Sequence, residues 1–292
     1  MNKIIKKLKD FSELVVFSHS IFSLPFIFIA MVVAANGWFG WKLLLLGLLA
    51  AVSARNFAMS INRYLDRDID GHNPRTASRP NVDGRINANQ ILAFVIINAL
   101  IFITVAYFVN TLAFILSVPI LIVIGSYSYF KRFSFLAHII LGLSLGLAPI
   151  AGVVAVSESV YLWTIYLSIG VIFWVAGFDL LYSLQDIEID KKLGLHSIPS
   201  KFGVNKTLWI SKIFHSITNL MWMFFVIKAQ LGLFAYIAVV FSALMLAYEH
   251  RIVAKDFNKI DKAFFTVNGY LGIVFFLLIV LDFIYKIEVP VT

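Results

Sequence analysis

Residues 161–190 read YLWTIYLSIGVIFWVAGFDLLYSLQDIEID, a long apolar run that ends in a cluster of acids. No charged residue interrupts the stretch from Tyr161 to Phe178. A hydrocarbon core about 30 Å thick needs roughly 20 apolar residues in helical conformation, so this stretch predicts a membrane-spanning helix. The acids that follow are then expected at one edge of the membrane.

The rest of the chain has the same apolar character. Hydrophobic residues make up 61% of the 292 residues, and the mean hydropathy is +0.90. Soluble domains contain roughly 45–50% apolar residues, and a helical membrane bundle can turn the surplus toward acyl chains. We therefore expect an all-α integral membrane protein in contact with membrane lipids. Cysteine is absent, which excludes disulfides and thiolate metal sites.

The window of roughly 20 apolar residues predicts nine transmembrane helices. They are Phe17–Ala35, Trp41–Ser60, Ile91–Phe108, Leu112–Tyr129, Leu136–Val156, Tyr161–Leu184, Leu208–Ile227, Leu231–Tyr248 and Phe264–Tyr285. We assign the whole chain, residues 1–292, to a single domain.

The distribution of lysine and arginine predicts the orientation. If the N-terminus is cytoplasmic, only Lys42, Lys228 and Lys286 of the 24 Lys and Arg residues fall on the outer side. Cytoplasmic loops are normally enriched in these residues. We therefore predict a multi-pass protein of a bacterial-type inner membrane, with the N-terminus and the polar chemistry facing the cytoplasm. Topology also explains the net charge of +8, so we expect no nucleic-acid partner.

The first acidic motif follows the second predicted helix. It reads Asn62-x3-Asp66-x3-Asp70, and at about 100° per residue these three side chains share one helix face. Arg55 lies on the same face, about two turns deeper in the membrane. Asp68 points elsewhere and is expected to be a bystander.

The second acidic motif follows the sixth predicted helix and repeats the same spacing. It reads Tyr182-x3-Asp186-x3-Asp190, with Asp179 on the same face and Glu188 pointing elsewhere. The repeat suggests two related four-helix halves that face a shared cavity, with a ninth helix added.

Several carboxylates at one membrane edge repel one another unless cations neutralise them. Hard oxygen ligands favour Mg²⁺, which typically binds through one or two carboxylates and substrate phosphates. The two motifs therefore predict a magnesium-dependent diphosphate site. Two other interpretations stay open: a solvated acidic helix end paired with arginines, and a cation or proton-coupled transporter. Transporter sites usually lie near the midplane on broken helices, whereas these acids lie at one edge.

Both motifs resemble those of the UbiA superfamily of intramembrane prenyltransferases, which share Asn-x3-Asp-x3-Asp and Asp-x2-Tyr-x3-Asp-x3-Asp. The resemblance continues through residues 73–80 (NPRTASRP), 127–132 (YSYFKR), 148–152 (APIAG) and the pair Asn268-Gly269. It implies nine helices around a central cavity that opens laterally to lipid. It also implies transfer of a polyprenyl group from a polyprenyl diphosphate with Mg²⁺.

Within the superfamily the chain resembles the 4-hydroxybenzoate polyprenyltransferase branch, which implies an aromatic hydroxy acid as acceptor in quinone biosynthesis. The segment Ser18–Phe26 is similar to relatives that prenylate a dihydroxynaphthoic acid for menaquinone, so this acceptor is the alternative. Haem-type and chlorophyll-type acceptors are weaker alternatives. A soluble-type terpene cyclase would share the metal chemistry, but its fold need not be this hydrophobic.

The resemblance and the spacing together assign the roles of the acidic motifs. Asp179 is expected to help bind the acceptor or to take up the aromatic proton, and Tyr182 to orient a carboxylate or diphosphate oxygen. The candidates for binding magnesium and diphosphate are Asp66, Asp70, Asp186 and Asp190, with Asn62 as a neutral orienting ligand.

Arg55 is costly inside a membrane helix, so a functional partner is the default interpretation. We expect it to bind the carboxylate of the acceptor bidentately, with an ion pair to Asp66 or to a lipid phosphate as the alternative. His138 and His215 lack metal-ligand spacing and are expected to be satisfied polar residues. Four loop cations are expected either to neutralise the diphosphate or merely to follow the positive-inside rule: Arg75, Arg79, Lys131 and Arg132.

Overall fold

The computed structural model describes residues 3–15, 22 and 24–285. Within these residues the chain is helical and contains no strand, so the predicted all-α class is confirmed. The helices are α1 Lys3–Val15, α2 Leu24–Ala34, α3 Trp41–Leu65, α4 Arg67–Asp70, α5 Ala88–Val109, α6 Thr111–Phe130, α7 Ala137–Ser157, α8 Leu162–Tyr182, α9 Ile187–Lys192, α10 Ile198–Lys228, α11 Leu233–Lys255, α12 Ile260–Lys262 and α13 Asn268–Tyr285.

Eight helical segments of the described chain are long and apolar enough to cross a membrane. They correspond to the second through ninth predicted spans. The first predicted span, Phe17–Ala35, lies partly outside the described residues, and its described part is the 11-residue helix α2. The nine-helix count and the cytoplasmic N-terminus therefore stay predictions, and most of the segment Ser18–Phe26 lies outside the description.

The seventh predicted span begins earlier than its apolar pattern indicated. Helix α10 starts at Ile198 rather than Leu208, because Ser197 and Ser200 form a reciprocal capping box at its N-terminus. The helix bends at Gly203, whose φ of 78° lies in the left-handed region that only glycine adopts readily. This polar first turn carries Ser197 toward the second acidic motif.

Helix α8 lies at the centre of the bundle, between α7 and α10. Its Trp174 is fully buried and packs near Phe26 of α2 and Trp222 of α10, with ring centroids 5.0 and 6.0 Å away. The close contact between α7 and α8 requires glycine at position 142. A β-carbon on Gly142 of α7 would overlap the carbonyl oxygen of Ile172 in α8.

This close contact predicts that Gly142→Ala lowers the melting temperature of the purified protein in detergent. The backbone of Ile172 cannot yield as a flexible side chain does, so overpacking should cost about 1–3 kcal/mol. Gly47→Ala is the matched control, because its β-carbon would lie 3.5 Å from Met31 Sδ, an ordinary contact distance. Equal melting temperatures for the two variants would contradict the close approach of α7 and α8.

Helix α1 packs against the loop between α4 and α5. Leu14 joins a buried cluster with Ile86 and Ile91. Arg85 binds both carboxylate oxygens of Glu13, at 2.6 and 2.7 Å, and these hydrogen bonds lower the pKa of Glu13. The loop that carries the cations next to the acidic motifs is thus anchored at its C-terminal end.

Candidate active site

Both acidic motifs occur where a long helix breaks. Helix α3 ends at Leu65, and Asp66 has φ −94° and ψ 9° before α4 begins. Helix α8 ends at Tyr182 and continues as a 3-10 turn to Asp186, which has φ −104° and ψ 4° before α9.

The prediction that each motif follows one continuous helix face is therefore wrong. Aspartate has a low helix propensity because its short side chain competes with the backbone for hydrogen bonds. The matching conformations of Asp66 and Asp186 are what related halves would produce, and that repeat stays a prediction.

Asp66 is the most buried carboxylate of the first motif, with 2% of the residue exposed. It accepts a hydrogen bond from Asn62 Nδ2 at 3.0 Å and pairs with Lys131 Nζ at 2.5 Å. Burial raises the pKa of Asp66 above its ordinary value, although Lys131 opposes the shift. Its Oδ1 atom has no hydrogen-bond partner within the described chain. This buried oxygen is therefore free to bind a further cation.

Asp70 is also buried and is bound from the loop that follows α4. Arg79 Nη1 contacts Asp70 Oδ1 at 2.7 Å, and Asn81 Nδ2 donates to Oδ2 at 3.1 Å. Arg63 lies 4.0 Å from the same carboxylate. Arg79 is thus in direct contact with the first acidic motif. This position is the one expected of a residue that neutralises a diphosphate bound there.

Asp186 of the second motif is bound by residues from the first half of the chain. Arg75 contacts its two oxygens at 3.2 and 2.6 Å, and Asn73 Nδ2 donates to Oδ1 at 2.9 Å. The Arg75 Nη1 atom also donates to the hydroxyl oxygen of Tyr182 at 3.1 Å. The loop between α4 and α5 therefore joins the two acidic motifs across one end of the bundle.

Asp190 and Asp179 each have a partner that the sequence did not predict. Ser197 Oγ donates to Asp190 Oδ2 at 2.7 Å. His138 Nδ1 lies 2.7 Å from Asp179 Oδ2, and His138 is buried with no partner for Nε2 in the described chain. The expectation that His138 is fully satisfied is therefore only half correct.

Arg55 lies in the wall of an apolar cavity of about 140 Å³ between α2, α3, α5, α6 and α7. Its Nε and Nη2 atoms are buried and lack hydrogen-bond partners in the described chain. Asp66, the alternative partner considered above, pairs with Lys131 and lies 3.9 Å from Arg132. The other polar residues of the cavity wall are Tyr127 and Ser144. A buried guanidinium with free donors is a binding group for an anion.

The two bystander acids are exposed. The Asp68 side chain is 61% exposed and binds Arg132 at 2.8 and 3.1 Å, which lowers the pKa of Asp68. The Glu188 side chain is 89% exposed. Arg132 therefore lies at the edge of the site, paired mainly with Asp68.

The donor set fits magnesium bound together with phosphate. No three His, Asp or Glu side chains of the described residues converge into a ready-made metal cage. The carboxylates instead lie beside loop cations and amides, and Asp66 Oδ1 is a buried oxygen without a hydrogen-bond partner in the described chain. Mg²⁺ needs only one or two carboxylates when substrate phosphates complete its coordination. The site thus offers carboxylates and loop cations around the place where a diphosphate would bind.

A model of the UbiA prenyltransferase family matches residues 23–282. A 4-hydroxybenzoate octaprenyltransferase of Enterobacter sp. (strain 638) is 34% identical over 223 residues, which cover 74% of this chain and 75% of that protein. A 4-hydroxybenzoate octaprenyltransferase of Herminiimonas arsenicoxydans is 28% identical over 262 residues, which cover 88% of this chain and 90% of that protein.

Solved structures show the same arrangement of helices. The apo structure of a UbiA homolog from Aeropyrum pernix K1 superposes with a TM-score of 0.83 and 30% identity, covering 90% of this chain and 98% of that one. A UbiA homolog from Archaeoglobus fulgidus bound to GPP and Mg²⁺ has a TM-score of 0.74 and 21% identity, covering 92% and 99%.

Proposed function

Because the chain belongs to the UbiA prenyltransferase family, we propose that it transfers a polyprenyl group from a polyprenyl diphosphate to 4-hydroxybenzoate. Family membership makes it a multi-pass membrane enzyme and decides against the transporter interpretation. The names of its relatives favour 4-hydroxybenzoate over the dihydroxynaphthoic acid considered above. We place the active site on the cytoplasmic side, because both acidic motifs lie near most of the Lys and Arg residues, which are normally enriched in cytoplasmic loops.

The diphosphate end of the donor is assigned to the two acidic motifs. Asp66, Asp70, Asp186 and Asp190 would hold Mg²⁺, and a family member of the same fold binds GPP and Mg²⁺. When bound, Mg²⁺ supplies Lewis acidity that withdraws electron density from the leaving diphosphate. Asn62 donates a hydrogen bond to Asp66 and would orient its carboxylate.

The loop cations are assigned to the phosphate oxygens. Arg75, Arg79 and Lys131 pair with motif carboxylates in this structure, and Arg132 lies at the edge. Each pair keeps a cation next to the diphosphate position, so its side chain needs only a small movement to bind phosphate. Cations held in place beside a leaving diphosphate stabilise the negative charge that develops on it.

The observation that carries the acceptor assignment is Arg55 with its unpaired donors inside an apolar cavity. The carboxylate of 4-hydroxybenzoate would satisfy these donors, and the cavity walls would contact its ring. The allylic carbon then bonds to the ring carbon ortho to the phenol, the C–O bond to diphosphate breaks, and that ring carbon loses its proton. We assign the proton to Asp179, whose carboxylate is held by His138.

The proposal is tested with purified protein, MgCl₂, geranyl diphosphate or longer prenyl diphosphates, and each acid in turn. Prenylated 4-hydroxybenzoate is the expected product. Faster transfer to the dihydroxynaphthoic acid would change the acceptor while leaving prenyl transfer intact. The absence of any prenylated acid with a folded protein would refute the proposed function.

Arg79→Ala is expected to weaken binding of the prenyl diphosphate more than binding of the acid. A charge-assisted hydrogen bond contributes about 1.5–3 kcal/mol, so the donor KM should rise roughly tenfold or more. Arg67→Ala is the matched control, because Arg67 binds the carbonyl oxygen of Tyr64 and no motif carboxylate. Equal changes in the two substrate KM values for Arg79→Ala would leave only a topological role for Arg79.

A further inference from the structure

A π-helical turn interrupts the last membrane segment close to the active site. Residues Ala263–Val267 form this turn between α12 and α13. A π-turn places one extra residue in the helix, costs regular hydrogen bonding, and occurs frequently at functional sites. The turn therefore needs a stabilising group, and the described chain supplies one.

Asn268, the first residue of α13, provides that group from a fully buried position. Its Nδ2 atom donates to Glu249 Oε1 at 2.7 Å and lies 3.3 Å from the carbonyl oxygens of Ala263 and Phe264, inside the turn. Its Oδ1 atom accepts a hydrogen bond from Trp174 Nε1 at 2.7 Å. Rotating the amide by 180° would set its NH₂ group against Trp174 Nε1, which can only donate, and its oxygen against the carbonyl oxygens of the turn, which can only accept, so these partners fix one orientation.

The turn contacts the second acidic motif through packed aromatic side chains. The rings of Phe264 and Tyr182 have centroids 4.3 Å apart, and Phe264 also packs edge-on against Phe178 at 5.1 Å. The Tyr182 hydroxyl accepts the hydrogen bond from Arg75, and Arg75 holds Asp186 with two contacts. A shift of the turn would therefore move Tyr182 and release one restraint on Arg75 and Asp186.

We propose that Asn268 is a positioning residue for the prenyl diphosphate site, acting through the π-turn, Phe264 and Tyr182. The inference rests on the proposed function, since it assigns the donor to the second acidic motif. It requires no contact between Asn268 and substrate. Asn268 instead stabilises the π-turn, which in turn keeps Tyr182, Arg75 and Asp186 in contact with one another.

The test compares four variants of the full-length protein in detergent. Asn268→Ala removes both hydrogen-bond functions, and Phe264→Leu removes the ring contact while leaving Asn268 intact. Glu249→Gln keeps an acceptor oxygen for Asn268 and should stay close to wild type. Asn219→Ala is the matched control, because Asn219 also joins two helices, through Ser242 Oγ at 2.8 Å, but touches neither the turn nor Tyr182.

Two measurements are made on each variant. The first is calorimetric binding of geranyl diphosphate in MgCl₂, where Asn268→Ala and Phe264→Leu should raise the dissociation constant roughly tenfold, since small misplacements far from the chemistry cost up to about 100-fold. The second is amide hydrogen exchange in residues 183–192, which should become faster in both variants. The KM for 4-hydroxybenzoate should change little.

Wild-type donor binding and wild-type exchange in both variants would overturn the inference. If Asn268→Ala fails to fold, Phe264→Leu decides by the same two measurements. If the wild-type protein does not bind geranyl diphosphate, the proposed function fails, and exchange in residues 183–192 alone decides whether Asn268 positions this segment. An equal effect of Asn219→Ala would reduce the result to general loosening of the bundle and overturn the specific role.

Discussion

Asp66→Asn and Asp186→Asn should each lower prenyl transfer by about 10³-fold or more, because a metal ion supplies several kcal/mol of transition-state stabilisation. Either substitution removes one negative charge from a proposed metal ligand and preserves the shape of the side chain. The loss should appear in turnover with saturating acid, measured by release of diphosphate. Excess EDTA should abolish the activity of the wild-type protein, and added MgCl₂ should restore it.

The controls are the exposed acids of the same two motifs. Asp68→Asn and Glu188→Gln remove one charge from positions two residues away, and both side chains are mostly exposed. Both variants should retain activity near that of wild type, since a local change in charge alone should have little effect. Full activity in Asp66→Asn or Asp186→Asn, or undiminished activity in EDTA, would contradict the magnesium assignment.

The helical framework could be predicted because membrane helices carry a strong local signal. The run from Tyr161 to Phe178 identifies its own helix without knowledge of any other part of the chain. The start of α10 could not be predicted in this way. Its first turns are polar and are stabilised by Ser197 and Ser200 rather than by apolar length, so a hydropathy window begins ten residues late.

The acidic motifs could be found because seven carboxylates in an apolar chain demand an explanation. The partners of these carboxylates could not. Asn73 binds Asp186 across 113 positions of the sequence, and His138 binds Asp179 across 41. Isolated Asn and Ser residues also serve as helix caps and turn residues, and no spacing rule joins residues that are distant in the chain.

The break of α3 at Asp66 shows a further limit of periodicity. The spacing of Asn62 and Asp66 indicates a shared face whether or not the helix continues to Asp70. The partners of the two carboxylates, Lys131 and Arg79, belong to two other segments. Periodicity therefore grouped these candidate residues but could not predict the break in the helix between them.

Arg55→Ala and Arg55→Lys should both impair use of the acid, and loss of the guanidinium should lower turnover as well as affinity. A guanidinium can bind a planar carboxylate with two parallel hydrogen bonds, whereas lysine offers a point charge. Charged hydrogen bonds contribute about 1.5–3 kcal/mol, which predicts a loss of roughly 10-fold to 100-fold in kcat/KM for 4-hydroxybenzoate. Misorientation of the ring should add a loss in kcat.

The deciding measurement compares 4-hydroxybenzoate with a phenol that lacks the carboxylate. In wild type the acid should be strongly preferred, and both Arg55 variants should lose that preference. Met59→Ala is the control, because Met59 lines the same cavity and its loss changes shape without charge, so acid and phenol should be affected alike. If Arg55 formed an ion pair with Asp66 instead, both Arg55 variants would slow diphosphate release while keeping the preference for the acid. The structure argues against that outcome, because Asp66 already pairs with Lys131 and the buried donors of Arg55 have no partner among the described residues.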